Sequence, residues 1–172
     1  MADENAHPLE SRIPLPDDLV KICREFNARG AKYMVVGGFA VIQHGFLRNT
    51  GDIGVLIEDS PENQIKAKRA LEILPDKAVR ELGDDDLRNW VVVRVCDEVV
   101  VDLMTMACGV SYQEGESEIE IHTIDGVPIP FASAKLLLRT KQTYRDKDAE
   151  DRAFLEAKIA REKKYGSRLR DT

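Results

Sequence analysis

Two acidic residues and a pair of glycines stand where they could handle a phosphate. Val35-Val36-Gly37-Gly38 reads as a buried strand running into two glycines and then a short helix. Glycines let the backbone approach a phosphate closely, and a helix N-terminus offers free N–H groups at the positive end of its dipole. A strand ending in two glycines is equally ordinary turn chemistry. Asp52 opens the next strand, within Arg48-Asn49-Thr50-Gly51-Asp52-Ile53-Gly54-Val55. Residues 52, 54 and 56 share one face of that strand. Carboxylates at both 52 and 54 would give a divalent cation two converging oxygen ligands, but this chain has Asp52 and Gly54. Asp102 stands inside Val99-Val100-Val101-Asp102-Leu103-Met104. An ionised carboxylate in an apolar strand is costly unless it binds a metal, a backbone donor or an arginine, and all three readings stay open. Substitutes for an acid at position 54 are poor. Glu58 shares the strand face but lies about 13 Å away at strand rise, and Asp84-Asp85-Asp86 reads as a solvated loop.

The elements that must position these residues follow from periodicity and breakers. Residues 1–16 carry Pro8, Pro14 and Pro16 and few apolar residues, which predicts an irregular arm. With Asp17 as N-cap, Leu19, Ile22, Cys23 and Phe26 follow helical spacing, and Gly30 sits where a C′ glycine would. Tyr33 to Val36 is a short buried strand, Phe39 to His44 a short helix stopped by Gly45, and residues 52–57 the next strand. Ser60-Pro61 is an N-cap followed by proline at N1, and Ala67, Ala70, Leu71 and Leu74 form the buried face of that helix. Residues 75–89 are polar. Trp90 to Val95 and Val99 to Met104 are strands joined by a tight turn at Asp97-Glu98. The run Val99-Val100-Val101 predicts a strand covered on both faces. Residues 109–118 read as a polar loop. Ile119 to Ile121 and Val127 to Ile129 flank Asp125-Gly126, a two-residue hairpin turn. Residues from about 133 to 164 form one or two long helices, with Leu136, Leu137, Leu138, Phe154, Leu155 and Ile159 as apolar contacts. The division is an arm over 1–16, one domain over 17–164 ending in these helices, and a basic tail over 165–172.

Composition sets the outer bounds. A chain of 172 residues favours one core, and 43% hydrophobic with 33% charged residues is a soluble globular composition. A net charge of −6 argues against a protein that coats nucleic acid, while leaving room for a local basic pocket. Cys23, Cys96 and Cys108 are far apart and carry no zinc spacing; they read as reduced thiols of a cytoplasmic protein, with Cys23 and Cys96 in the core. The acidic start Met1-Ala2-Asp3-Glu4 leads into no signal-peptide apolar region. No apolar run approaches the ~20 residues of a membrane span.

The stretch Tyr33 to Ile57 resembles the opening motif of the nucleotidyltransferase superfamily, the DNA polymerase beta-like group: a strand, Gly-Gly, a short helix, then Asp-x-Asp on the next strand. Its wider context, VVGGFAVIQHGFLRNTGDI, is similar to an abortive-infection-type, minimal branch in which Thr-x-Asp-Ile-Asp is usual; Thr50, Asp52 and Ile53 match and Gly54 does not. Asp102 falls where the third family carboxylate should be. FASAKLLLRTKQTYRDKDAEDRAFL resembles the helical ending of that branch, with Lys141, Arg145, Lys147, Asp148 and Asp151 at its charged places. The resemblance spans about residues 20–160. It implies an α/β (α+β) minimal nucleotidyltransferase fold: a central mixed β-sheet flanked by helices, with a helical C-terminal segment. Asp52 and Asp102 would then lie on neighbouring strands, within reach of one cation.

The resemblance also implies a function. Asp52 and Asp102 would be the catalytic, metal-binding carboxylates. Gly37, Gly38, Arg48 and Lys141 would contact the nucleotide, with His44 a further phosphate candidate. The metal would be Mg²⁺ or Mn²⁺, bound weakly because the second motif carboxylate is absent at Gly54. The reaction would move a nucleoside monophosphate from NTP to an acceptor hydroxyl on nucleic acid, protein or a small molecule. The alternative is a non-catalytic protein of the same fold that binds nucleotide or a protein partner, as a regulator or toxin–antitoxin component. Neither reading involves a membrane.

Overall fold

The structure, a computed structural model, describes residues 10–168. The arm's residues 1–9 and the tail's residues 169–172 lie outside the described residues. Helix α1 (Pro16–Ala28) starts two residues earlier than its capping signal suggests: Leu15, not Asp17, is the N-cap, Pro16 begins the helix, and Asp18 accepts the Leu15 N–H at 2.7 Å. Proline is suited to that first position because its missing N–H would be unsatisfied there anyway. Leu19, Ile22, Cys23 and Phe26 are buried as their spacing requires.

Strand β1 (Tyr33–Val36) is buried throughout, and helix α2 (Gly37–Gln43) begins directly at the two glycines, ahead of the expected Phe39. Strand β2 (Ile53–Ile57) follows, then α3 (Pro61–Leu71), whose N-cap Ser60 Oγ accepts from Asn63 N at 3.2 Å. A 3-10 turn (Ala78–Glu81) and the short helix α4 (Asp86–Asn89) lead to β3 (Val92–Cys96) and β4 (Val100–Met104).

These two strands correct three expectations. Cys96 is exposed, not in the core, because β3 alternates and Cys96 shares its outward face with Val92 and Arg94. Strand β4 also alternates: Val101 and Leu103 are buried, while Val100, Asp102 and Met104 are half-buried on a face that opens to a cleft. Cys96 pairs with Val100, so the hairpin loop holds three residues, and Asp97 in it is buried. The Asp97 carboxylate accepts the N–H groups of Asp76 (3.1 Å), Ala78 (2.8 Å) and Glu98 (2.7 Å), which replace the glycine a tight turn would have used.

Residues 109–118 are a folded segment rather than a loop. The small hairpin β5 (Met106–Ala107) and β6 (Val110–Ser111) runs into α5 (Tyr112–Gly115) and a 3-10 turn (Glu116–Glu118). Ser111 and Glu114 form a capping box at the start of α5, and Val110 and Tyr112 are buried. Strands β7 (Ile119–Ile124) and β8 (Val127–Ala132) join at Asp125-Gly126, both with positive φ as the tight hairpin demands. Helices α6 (Ala134–Thr140) and α7 (Asp146–Arg168) complete the chain.

The six-stranded sheet has the order β3-β4-β2-β1-β8-β7. Strand β2 runs antiparallel to β1 and parallel to β4, β8 runs parallel to β1, and each edge strand is antiparallel to its neighbour. It is the expected central mixed sheet flanked by helices with a helical C-terminal segment. Helix α1 packs on α3, α2 on α6, and α6 on α7. Among the described residues no helix is long and apolar enough to cross a membrane.

Candidate functional site

The site is built on one row of the sheet. Val36 of β1 faces Gly54 of β2, Gly54 faces Asp102 of β4, and Asp102 faces Arg94 of β3. Residues paired across strands project to the same side, and Asp52, two residues before Gly54, projects there too. Asp52 and Asp102 therefore converge, as they must if they share a site. Both reach one nitrogen: Arg94 Nη2 donates to Asp102 Oδ2 at 2.9 Å and to Asp52 Oδ2 at 3.1 Å. Arg94 Nε donates to the other Asp102 oxygen at 2.9 Å, so Asp102 is held in a fork. Hydrogen bonding to Asp102, then the charges of Asp102 and Asp52, push the Arg94 pKa further upward, and the guanidinium stays charged.

Gly37 and Gly38 close the row at the end of β1. Gly37 has φ +69, in the left-handed region, and a Cβ there would touch the Cα of Gly54. A Cβ on Gly38 would overlap the side chain of Thr50. The turn lies that close to the segment entering β2 because neither glycine carries a side chain.

Arg48 and Lys141 also line this cleft, but both are engaged in buried ion pairs. Arg48 Nε and Nη2 donate to the two oxygens of the fully buried Asp151, each at 2.8 Å. Lys141 Nζ lies 3.1 Å from Asp148 Oδ1 and 3.0 Å from Asp151 Oδ2. Burial pushes the Asp148 carboxyl up, but hydrogen bonds from Thr143 and Lys141 and the charges of Lys141 and Arg145 outweigh it and hold the pKa below the ordinary carboxylate range. Arg152 Nη1 ties down the connection between α6 and α7 by donating to the carbonyls of Lys141 (2.6 Å) and Thr143 (2.8 Å). His44 is turned away from the cleft: its Nε2 lies 2.8 Å from the Ala132 carbonyl, joining the end of α2 to the end of β8.

The cleft has a volume of about 320 Å³ and brings together Gly37, Gly38, Asp52, Gly54, Asp102, Arg48 and Lys141. Arg145 and Lys147 stand on its lining too. Arg145 is exposed and pairs with Asp148, while Lys147 makes no ion pair among the described residues. A second space of about 390 Å³ shares Gly37, Asp102, Lys141 and Arg145 and is walled by Val91, Val92, Met106 and Arg94. The acidic run at 84–86 stays outside both. Asp84 and Asp85 are exposed as expected of a solvated loop, but Asp86 opens helix α4 and accepts the Gly83 N–H at 2.7 Å, while Asp85 pairs with Arg88. Glu58 accepts from Ser60 Oγ at 2.7 Å and takes no part.

A solved structure resembles this chain. It is a protein of Thermotoga maritima that carries the provisional name nucleotidyltransferase; the match has 12% identity, covers 93% of this chain and 98% of that one, and has a TM-score of 0.46. No protein-family model and no curated protein matches the chain.

The fit of a divalent cation can be tested on the donor set. Mg²⁺ needs near-octahedral oxygen ligation. Here two carboxylates converge, position 54 contributes none, and a guanidinium nitrogen stands where the two converge. Among the described residues no group of three or more His, Cys, Asp or Glu side chains is placed to hold a metal. As arranged, the residues do not fit a resident Mg²⁺ or Mn²⁺.

Arg94 is the functional residue that sequence reasoning missed. Its signal was present: a lone arginine between valines on the strand hairpinned to the one carrying a lone aspartate. The reading of Asp102 as an arginine partner is the one the geometry selects.

Proposed function

We propose that the chain is a nucleotidyltransferase-fold protein that binds a nucleoside triphosphate in this cleft and, as folded, does not transfer it. The observation that carries the reading is convergence: Asp52 and Asp102, distant in sequence, meet at the Gly37-Gly38 turn within one cleft. The phosphates would lie along the glycine turn, whose Gly37 and Gly38 line the cleft beside Asp52 and Asp102. Arg145 and Lys147 supply positive charge at the rim. Arg48 and Lys141, neutralised by Asp148 and Asp151, would shape the cleft wall rather than grip the phosphates.

Transfer is a different demand. It requires charge stabilisation at the reacting phosphorus and a positioned acceptor hydroxyl. In this chain both cleft carboxylates are engaged by Arg94, and position 54 offers no third. Metal-dependent transfer to an acceptor hydroxyl is the second reading because the Arg94 side chain, 58% exposed, holds the two carboxylates from the solvent side of the cleft, where a change of its position would release them.

Calorimetric titration with each of the four ribonucleoside triphosphates, with and without Mg²⁺, tests binding; incubation with α-labelled NTP and candidate acceptors tests transfer. Saturable binding without label transfer is expected. Label appearing on any acceptor would move the protein to the second reading. Failure of every NTP to bind at millimolar concentration would remove the nucleotide assignment.

A further inference from the structure

We propose that Arg94 is a built-in cation that takes the place of a divalent ion between Asp52 and Asp102, so that this carboxylate pair is closed to metal while Arg94 is present. The inference rests on the cleft reading above for its location but not for its test.

Three observations carry it. The first is the contact geometry. The guanidinium fork matches both oxygens of Asp102 and extends to Asp52 through the same Nη2. A guanidinium is planar, always charged and less strongly hydrated than an ammonium, so it suits a paired site of this shape. Two carboxylates brought this close repel one another unless a cation lies between them, and Arg94 supplies one positive charge against their two.

The second is the row itself. Gly54 occupies the position between Val36 and Asp102, on the face where Asp102 and Arg94 project. The backbone does not demand glycine there: Gly54 has no positive φ, and the nearest atoms to an added Cβ are those of Val36, at 3.4–3.6 Å. A Cβ at 54 is thus compatible with the sheet, so strand geometry alone does not account for glycine there. With a carboxylate at 54 three negative charges would face one guanidinium. With glycine the balance is two to one, which a single arginine can hold.

The third is the placement of Arg94. It stands on the edge strand β3, with its side chain over the cleft face and away from the buried Val93 and Val95. Replacing it removes an ion pair at the rim rather than a piece of the core, so it can be removed without dismantling the fold.

The test uses Mn²⁺ alone as the probe, with no nucleotide, on the full chain. Binding is read by the loss of free-ion electron paramagnetic resonance signal and checked by calorimetry. Four proteins are compared: the natural chain, G54D, R94Q and R94Q/G54D, each confirmed folded by circular dichroism. The natural chain and G54D should bind Mn²⁺ only in the millimolar range. R94Q/G54D should bind about tenfold tighter or more, since ligand number and charge set affinity for hard cations, and D102N added to that background should abolish the gain. Sub-millimolar Mn²⁺ binding by the natural chain would overturn the proposal, whatever the variants do. So would G54D alone matching R94Q/G54D, because Arg94 would then be no obstacle. A chain that binds no NTP but behaves this way toward Mn²⁺ would lose the nucleotide assignment and keep this one; the converse result would do the opposite.

Discussion

Gly38 and Gly54 line the same cleft and make opposite demands. A methyl group on Gly38 would overlap Thr50, whereas one on Gly54 meets Val36 at ordinary contact distance. Overpacking costs about 1–3 kcal/mol, while glycine to alanine at an unstrained position stabilises by about 0.4–1 kcal/mol through the unfolded chain. Gly38→Ala should therefore lower the urea unfolding midpoint and Gly54→Ala should leave it unchanged or raise it; the reverse order would show that the glycine turn is looser than described. Thiol chemistry gives a second check at this scale. Burial pushes the Cys23 pKa up to about 12, while Cys96 and Cys108 are exposed. Iodoacetamide on the native protein should modify Cys96 and Cys108 and spare Cys23 until denaturant is added, with mass spectrometry of tryptic peptides as the readout. Asp52, Asp102 and the glycine pair were legible in the sequence because each breaks a local pattern: an acid at a strand start, an acid within a strand, two glycines after one. Arg94 was legible only as a lone charge between valines, since nothing local to β3 says which residue of β4 it faces. Cys96 was misplaced for the same reason, an alternation whose phase only the paired strand fixes.

The connection between α6 and α7 is the element on which the cleft wall depends. Lys141 closes α6, Asp148 and Asp151 open α7, and Arg48 reaches them from the segment before β2. Breaking a buried ion pair by removing one partner costs about 3–5 kcal/mol because the other charge stays buried and uncompensated. Asp151 serves two cations and is fully buried, so Asp151→Ala should fall in that range by urea denaturation, well beyond the effect of Glu62→Ala in the exposed Lys66–Glu62 pair on α3. Equal losses would mean that the network is solvated. Most element boundaries were legible from caps and breakers: Ser60-Pro61, Gly45 and Asp125-Gly126 each act as their types predict. The segment 109–118 was missed although Ser111-x-x-Glu114 is a capping box, because its polar composition outweighed a motif only four residues long. The buried role of Asp97 was equally hidden, since its three N–H partners come from its own turn and from a segment about twenty residues upstream.

At the scale of the whole molecule, the sheet order could not be read from alternation and turns alone. Strands β1, β2 and β4 meet through registers set by packing, and β8 inserts beside β1 from the far end of the chain. The resemblance to the nucleotidyltransferase motif implied only a central mixed sheet with Asp52 and Asp102 on neighbouring strands; the order itself is fixed by the registers, which bring the two carboxylates together. Charge couples this assembled state to pH. Asp148 has its pKa held below the ordinary range by Thr143, Lys141 and Arg145 against the upward push of burial. Asp18 is held low by the hydrogen bond from Arg12, which also pairs with Glu98 beside the β3–β4 turn. A carboxylate with a lowered folded pKa binds fewer protons in the folded state than in the unfolded one at acid pH, so stability rises with pH there. Its contribution is fully present above the unfolded value of about 3.9 and is lost as pH falls through the lower folded value. Urea unfolding followed from pH 7 down to pH 2 should therefore give a free energy that declines below about pH 4. Asp148→Asn should be less stable than the natural chain at pH 7, and its acid decline should be shallower, with Asp18 supplying part of what remains. The two curves should draw together toward the acid end, where Asp148 in the natural chain is itself protonated. Curves that stay parallel over the whole range would show that Asp148 titrates alike in the folded and unfolded chains, and that the α6–α7 network does not couple folding to pH through this residue.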